Sequence, residues 1–264
     1  MMQPAQSLSR WRLLLAPPRS GAENMARDTA LLARAARTGE TVFSIYSWAT
    51  PTLSFGRHQT AAGHYDPGKI RAALMDVVRR PTGGRAILHH REITYSVTAP
   101  LSSLPLQATY ARINRILVAG LSLLGVTAGI AEPEERAPAP VAGPCFERPA
   151  KGEIVAGGKK LIGSAQWRND GALLQHGSIL VEDDQTSLPA FAVEGEPGKE
   201  VPVPATLGAL LGRAPGDEEV ADAMFEAVTQ LEDPESVRIE EKDIRGETLR
   251  YVEQFADERW TWRR

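Results

Sequence analysis

Cysteine is almost missing from this chain: 264 residues contain one, Cys145. A single thiol excludes an internal disulfide framework and any paired-cysteine metal centre, and it fits a reducing cytoplasm. Long apolar runs are missing too. The N-terminal "MMQPAQSLSRWRLLLAPPRSG" holds three consecutive leucines before its prolines, too short for a signal peptide core, and no other segment approaches the roughly 18 uninterrupted apolar residues a membrane span needs. A soluble protein without membrane attachment is expected. Excess charge of either sign is also lacking, with 30 Lys and Arg against 33 Asp and Glu and no basic stripe, so nucleic acid is not an expected partner.

What is present suffices for a core, since 42% of the residues are hydrophobic. Met25, Leu32 and Ala36 in "AENMARDTALLARAAR" predict a helix over 22–37 that stops near Gly39. "TVFSIYSW" and "TLSFG" are β-branched and aromatic, which favours strands. "DVVRR", "AILHH" and "EITYSV" read as a strand meander joined through a "PTGG" turn. Ile113, Ile116, Leu117, Val118, Leu121 and Leu124 place a helix over 107–125, to be laid on a sheet. An extended loop, "EPEERAPAPVAGP", follows and leads to Cys145. Beyond it, Gly157-Gly158 and Asn169-Asp170-Gly171 mark turns between three strands. Two helices finish the chain. The expectation is one α+β domain over 1–264, a mixed sheet flanked by helices, with 1–10 as a flexible tail and 185–264 as the helical close of the same domain.

Two segments concentrate chemistry. In "RRPTGGRAILHH" the adjacent Gly83 and Gly84 let backbone N–H groups approach a ligand, and Arg79, Arg80 and Arg85 bring positive charge suited to an anionic or carbonyl group. His89 and His90 are consecutive, so on a strand one points inward and one outward. In "GGKKLIGSAQWR" the same alternation separates Lys159 from Lys160. A regular strand gives Lys160 the face of Ile162, Ser164 and Gln166, whereas a bulge after Gly158 inverts that assignment.

"RRPTGGRAILHHREITYS", "KKLIGSAQWR" and "LQHGSILVEDD", in this order, resemble the biotin/lipoate protein ligase catalytic-domain family, as do the earlier "WRLLL", "NMARDTALL" and "YSWATPTLSFGRHQ". The resemblance covers roughly Trp11 to Asp184. It implies that Arg79, Arg80, Thr82, Gly83, Gly84 and His89 line a tunnel for an acyl chain, that Gly163, Ser164, His176 and Gly177 form its other wall, and that Lys160 contacts the acyl carbonyl. "GPCFERPAKGEIV" is similar to the cysteine loop of the branch that modifies the glycine-cleavage H protein, matching at Cys145, Phe146 and Pro149. That similarity implies octanoyl transfer from octanoyl–acyl carrier protein, through a Cys145 thioester, to a lysine of H protein or an E2 lipoyl domain, with no metal and no cofactor. A thiol suits this role because exchange between thioesters is nearly neutral in energy, and a nearby ammonium favours the thiolate. The alternatives are an ATP- and Mg2+-dependent lipoate ligase using the same Lys160, and a non-catalytic binder of lipoyl domains.

Overall fold

The computed structural model describes residues 10–102, 105–131, 152–193 and 202–264. Its first unit follows from local sequence. Strand β1 (Trp11–Leu15) leads to Ser20, which caps helix α1 (Gly21–Thr38) through a reciprocal capping box with Glu23. The helix returns the chain to β2 (Thr41–Tyr46), parallel to β1, as a β-α-β crossover.

There follow β3 (Thr52–Phe55), α2 (Pro67–Ala72), β4 (Asp76–Arg79), β5 (Ile87–His89), β6 (Glu92–Pro100) and α3 (Leu106–Leu123). After β7 (Gly129–Ile130) and β8 (Ile154–Ala156), a long hairpin forms from β9 (Lys159–Asn169) and β10 (Ala172–Leu180). Asp170 and Gly171 turn it with φ of 46° and 82°, the twist-matched turn foreseen from "NDG". The last part holds α4 (Leu207–Leu211), α5 (Asp217–Leu231), β11 (Val237–Arg238), α6 (Arg245–Ala256) and α7 (Glu258–Thr261). The main sheet has eight strands in the order β11-β1-β2-β6-β10-β9-β8-β7, and a second has three, β4-β3-β5. The expected mixed sheet with flanking helices is present.

The expected meander is not. Strands β4 and β5 do not pair with each other; β3 lies between them, parallel to β4 and antiparallel to β5, while β6 joins the main sheet. The reason is Arg80, whose guanidinium donates to the carbonyls of Ser54, Gly83 and Arg85 and so wraps the Thr-Gly-Gly turn around the end of β3 instead of closing a tight hairpin. The two expected C-terminal helices are α5 and α6, and between them β11 adds an unforeseen parallel strand beside β1. The expected N-terminal tail up to residue 9, and the whole proline-rich loop over 132–144, lie outside the described residues.

Strand β6 explains how the two faces of the main sheet differ. Its Ile93, Tyr95, Val97 and Ala99 join Phe43, Ile179, Ile162 and the apolar sides of α3 and α5 in the main core. The alternate residues, Glu92, Thr94, Ser96 and Thr98, would ordinarily face water. All four are buried. On the same face, Ser178, His176, Ser44 and Tyr46 are in register with them and are buried as well, with α1 packed over this side. One face of the sheet is therefore a conventional core, and the other is a sealed polar layer.

Gly56, at the end of β3, backs directly onto the Thr-Gly-Gly turn. A Cβ there would lie 2.0 Å from the carbonyl oxygen of Gly84, a backbone atom that no rotamer change can move. Gly56→Ala is expected to lower the unfolding free energy by about 1–3 kcal/mol, the usual cost of overpacking. Urea denaturation checks this, and an unchanged midpoint would mean that the turn moves freely.

Candidate active site

A cavity opens on the polar face of the main sheet. Gly163, Ser164 and Ala165 of β9, His176, Gly177 and Ser178 of β10, Thr94 of β6 and Tyr46 of β2 line it in turn. It therefore crosses four adjacent strands, roughly 14 Å at the usual interstrand spacing. Met25 of α1, Trp48 and the 80–89 segment complete the walls. At the β9 end, Gly84 is exposed and Ser164 and Ala165 are partly so, whereas Tyr46 and Met25 at the other end are buried. The cavity has a mouth and a closed end.

Two histidines stand in its wall, and each is held the same way. His176 places Nδ1 2.8 Å from Asp28 Oδ2 and Nε2 2.6 Å from Thr82 Oγ1. Asp28 also accepts from the Tyr46 hydroxyl at 2.9 Å. His89 places Nδ1 3.0 Å from Glu92 Oε1 and Nε2 2.8 Å from Ser54 Oγ. Trp48 stacks on its ring with centroids 4.0 Å apart, and its indole N–H donates to Thr94, whose hydroxyl donates to Glu92. Burial, then the nearby Arg80 charge, hold His89 well below its ordinary pKa. Burial lifts Glu92 to about 8. At neutral pH the pair carries no separated charge, which suits a wall facing an apolar ligand.

Most of the expected lining residues meet here. Arg80, Gly84, His89, Gly163, Ser164, His176 and Gly177 all line the cavity. Thr82 and Gly83 stand behind the lining, where Thr82 anchors His176 and the Gly83 carbonyl accepts from Arg80. Gly177 must be glycine, because a Cβ would sit 2.3 Å from the Gly163 carbonyl oxygen and 2.8 Å from the Tyr95 ring. His90 is exposed, as alternation required of one member of the pair. Arg79 departs from expectation. Its buried guanidinium donates to the carbonyls of Gly56, Gln59 and Thr261, so it ties the C-terminal segment to the 56–59 loop instead of lining the cavity.

For Lys160 the structure selects between the two strand assignments that alternation left open. Ala156 pairs with Lys159 and Val155 with Lys160, yet Ile154 pairs with Ile162, so β9 carries one extra residue, Leu161, in a bulge. Lys160 therefore shares a face with Val155 and not with Ile162, which is the face of Gly163 and Ala165 on this strand, but it is not among the residues that line the cavity. It is buried, and its ammonium donates to Glu153 Oε1 at 2.6 Å. Cys145 lies outside the described residues. The sequence reading missed Asp28, Glu92, Ser54, Tyr46 and Trp48. Asp28 had a signal: it falls between Met25 and Leu32 at helical spacing, a carboxylate on an apolar stripe.

Because Glu92 keeps its proton up to about pH 8 when folded but releases it near 4.5 when unfolded, the folded state binds more protons in that window. Stability is then highest below about 4.5 on this group's account and falls as pH rises toward about 8. Glu92→Gln is expected to remove that decline. Thermal melts across the window check it, and parallel profiles for the two proteins would refute the burial of an ionisable Glu92.

Residues 20–229 match the lipoyl protein ligase A/B catalytic domain. The chain is 37% identical to an octanoyltransferase LipM of Kyrpidia tusciae, covering 96% of this chain and 99% of that one. It is 36% identical to an octanoyltransferase LipM of an Exiguobacterium species, covering 96% and 98%. Among solved structures, the bi-partite lipoate protein ligase of Thermoplasma acidophilum, studied with its E2 lipoyl domain, superposes with a TM-score of 0.78 at 20% identity, covering 96% of each chain.

Proposed function

This chain belongs to the lipoyl protein ligase A/B catalytic-domain family, and we propose that it is an octanoyltransferase of protein lipoylation that works through a Cys145 thioester. The carrying observation is the similarity to octanoyltransferases along nearly the full length of both chains. The likeness to ligases, at 20% identity, concerns the fold alone.

The chemistry needs three parts. The cavity takes the acyl chain, entering at Gly84 and Ala165 and running across the strands toward Tyr46 and Met25. Cys145 attacks the carbonyl of octanoyl–acyl carrier protein and expels the carrier's thiol as thiolate, giving an acyl-enzyme. The amine of a lysine on H protein or an E2 lipoyl domain then attacks that thioester, loses a proton, and leaves an amide and the free Cys145 thiolate. Lys160, on the cavity face, hydrogen-bonds the carbonyl oxygen as it gains charge in both steps. Arg80, Thr82, Gly83, Gly84, His89, Gly163, Ser164, His176 and Gly177 shape and hold the tunnel. The acyl group arrives already activated as a thioester, so neither ATP nor Mg2+ is required. The described and undescribed parts of 1–264 act as one catalytic unit.

Intact-mass analysis after mixing with octanoyl–acyl carrier protein, without ATP, is expected to show one octanoyl adduct that Cys145→Ala lacks. A Cys145→Ala protein with full transfer activity would sink the covalent route. Lys160→Met is expected to slow transfer about 10²–10³-fold, as for a lost oxyanion donor, while Lys159→Met changes it little. Losing Lys160 leaves the largely buried Glu153 without this partner, and breaking a buried pair costs about 3–5 kcal/mol. Activity is therefore best read in Lys160→Met/Glu153→Gln, which removes both charges. If that double variant transfers octanoyl at the normal rate, Lys160 has no catalytic role.

A further inference from the structure

Most arginines whose contacts are described have a carboxylate. Arg12 and Arg34 hold Glu40, Arg19 and Arg27 hold Glu241, and Arg213 holds Glu219. Arg79 and Arg80 serve backbone carbonyls instead, and a further group at the surface differs from both. Arg57, Arg263 and Arg264 lie close together and none of them forms an ion pair with an Asp or Glu side chain among the described residues, although the chain as a whole is slightly acidic.

Their arrangement is built from aromatic rings. The Arg57 guanidinium lies over the Trp167 ring at 4.9 Å and over Trp260 at 5.9 Å, and Arg263 lies over the Trp260 ring at 3.8 Å while donating to the Arg57 carbonyl at 2.7 Å. Ring faces hold the guanidinium planes without neutralising them. Arg263 is pushed below its ordinary pKa by burial and by the charges of Arg57 and Arg264, so the cations repel one another. The exposed His58 is likewise pushed down, by desolvation and then by Arg264, Arg57 and Arg263. Holding like charges together with no Asp or Glu side chain among them costs stability, and an anion seated there would offset it.

The group borders the mouth of the cavity. The Arg57 backbone N–H donates to the Thr82 carbonyl at 2.7 Å, Gly56 backs onto Gly84, and Trp167 follows Ala165 on the same face of β9. We propose that this cationic rim of Arg57, Arg263 and Arg264 is the docking surface for the acyl donor, an acidic carrier protein whose thioester hangs on a phosphodiester-linked arm. The inference rests on the octanoyltransferase reading. The donor is favoured over the acceptor because it must thread its acyl chain through the mouth, which keeps its own body and its phosphodiester at the rim, while the acceptor amine has only to reach the carbonyl.

The test uses Arg263→Glu/Arg264→Glu and, separately, Arg57→Gln, none of which touches the cavity lining. Binding of the holo carrier protein is measured by calorimetry, and kcat/KM is measured with octanoyl–carrier protein and with octanoyl-pantetheine, which has the thioester but neither protein nor phosphate. The expected result is carrier affinity and kcat/KM lowered roughly tenfold or more in the charge-reversed protein, with a flatter salt dependence, and less so in Arg57→Gln. Octanoyl-pantetheine should react as in the unaltered enzyme. Unchanged carrier binding overturns the proposal, as does an equal loss with both donors, or a loss confined to transfer from the preformed acyl-enzyme to the acceptor. An unaltered protein that binds carrier through these arginines yet passes no acyl group would instead overturn the octanoyltransferase reading and leave the docking surface standing.

Discussion

The buried sheet face of hydroxyls, imidazoles and carboxylates is tied together through its two histidines, and that network fixes where α1 sits, although the hydroxyls of Ser44, Ser96 and Thr98 on the same face find no partner among the described residues. Asp28 from the helix reaches His176 on β10, and His176 reaches Thr82 in the Thr-Gly-Gly turn, so a single chain of hydrogen bonds joins three elements that have no local reason to meet. Tyr46 adds β2 to the same carboxylate. An unpaired buried polar group costs about 1–3 kcal/mol, so removing any member strands its neighbours. The cavity is the space that this network props open between helix and sheet.

The same constraint makes a polar wall suitable for an apolar guest. Ser54, Thr82, Thr94, Glu92 and both imidazoles direct their hydrogen-bonding atoms at one another. What remains for a ligand is carbon: the indole of Trp48, Met25, Ile87 and glycine backbone. Arg80 shows the same economy, since its guanidinium serves the carbonyls of Ser54, Gly83 and Arg85 and shapes the turn. Arg79, its neighbour, spends its donors on the far side, holding the 56–59 loop to the C-terminal segment.

Much of this was legible in the sequence because local rules govern it. The helical spacing of Met25, Leu32 and Ala36 announced α1 and Gly39 its end, "NDG" the β9–β10 turn, and the helical spacing of Ile113 to Leu121 the helix that covers the core. The residues on "RRPTGG" and "LQHGS" were singled out through resemblance, and all but Arg79 lie in the cavity wall or directly behind it. Long-range partners were not. Nothing in the neighbourhood of Trp48 or Glu92 tells of their contact with His89, and Arg79 and Arg80 look alike in sequence although they face different parts of the molecule. The pairing of β4 and β5 failed for a related reason: a turn that looked like a hairpin is held open by a side chain next to it in sequence and by β3, some 25 residues upstream.

The bulge at Leu161 has a consequence for comparing this protein with others. The face on which Lys160 lies is set by how the residues between two cross-strand pairs are accommodated, not by which residues they are. Absorbing Leu161 into a regular ladder would turn Lys160 to the face of Ile162, whereas deleting it would leave the Val155–Lys160 and Ile154–Ile162 pairs as neighbours and keep Lys160 on its present side. Two chains with the same residues between this lysine and Gly163, one bulged and one regular, would therefore present the lysine to opposite faces, and an alignment of their sequences would not tell them apart.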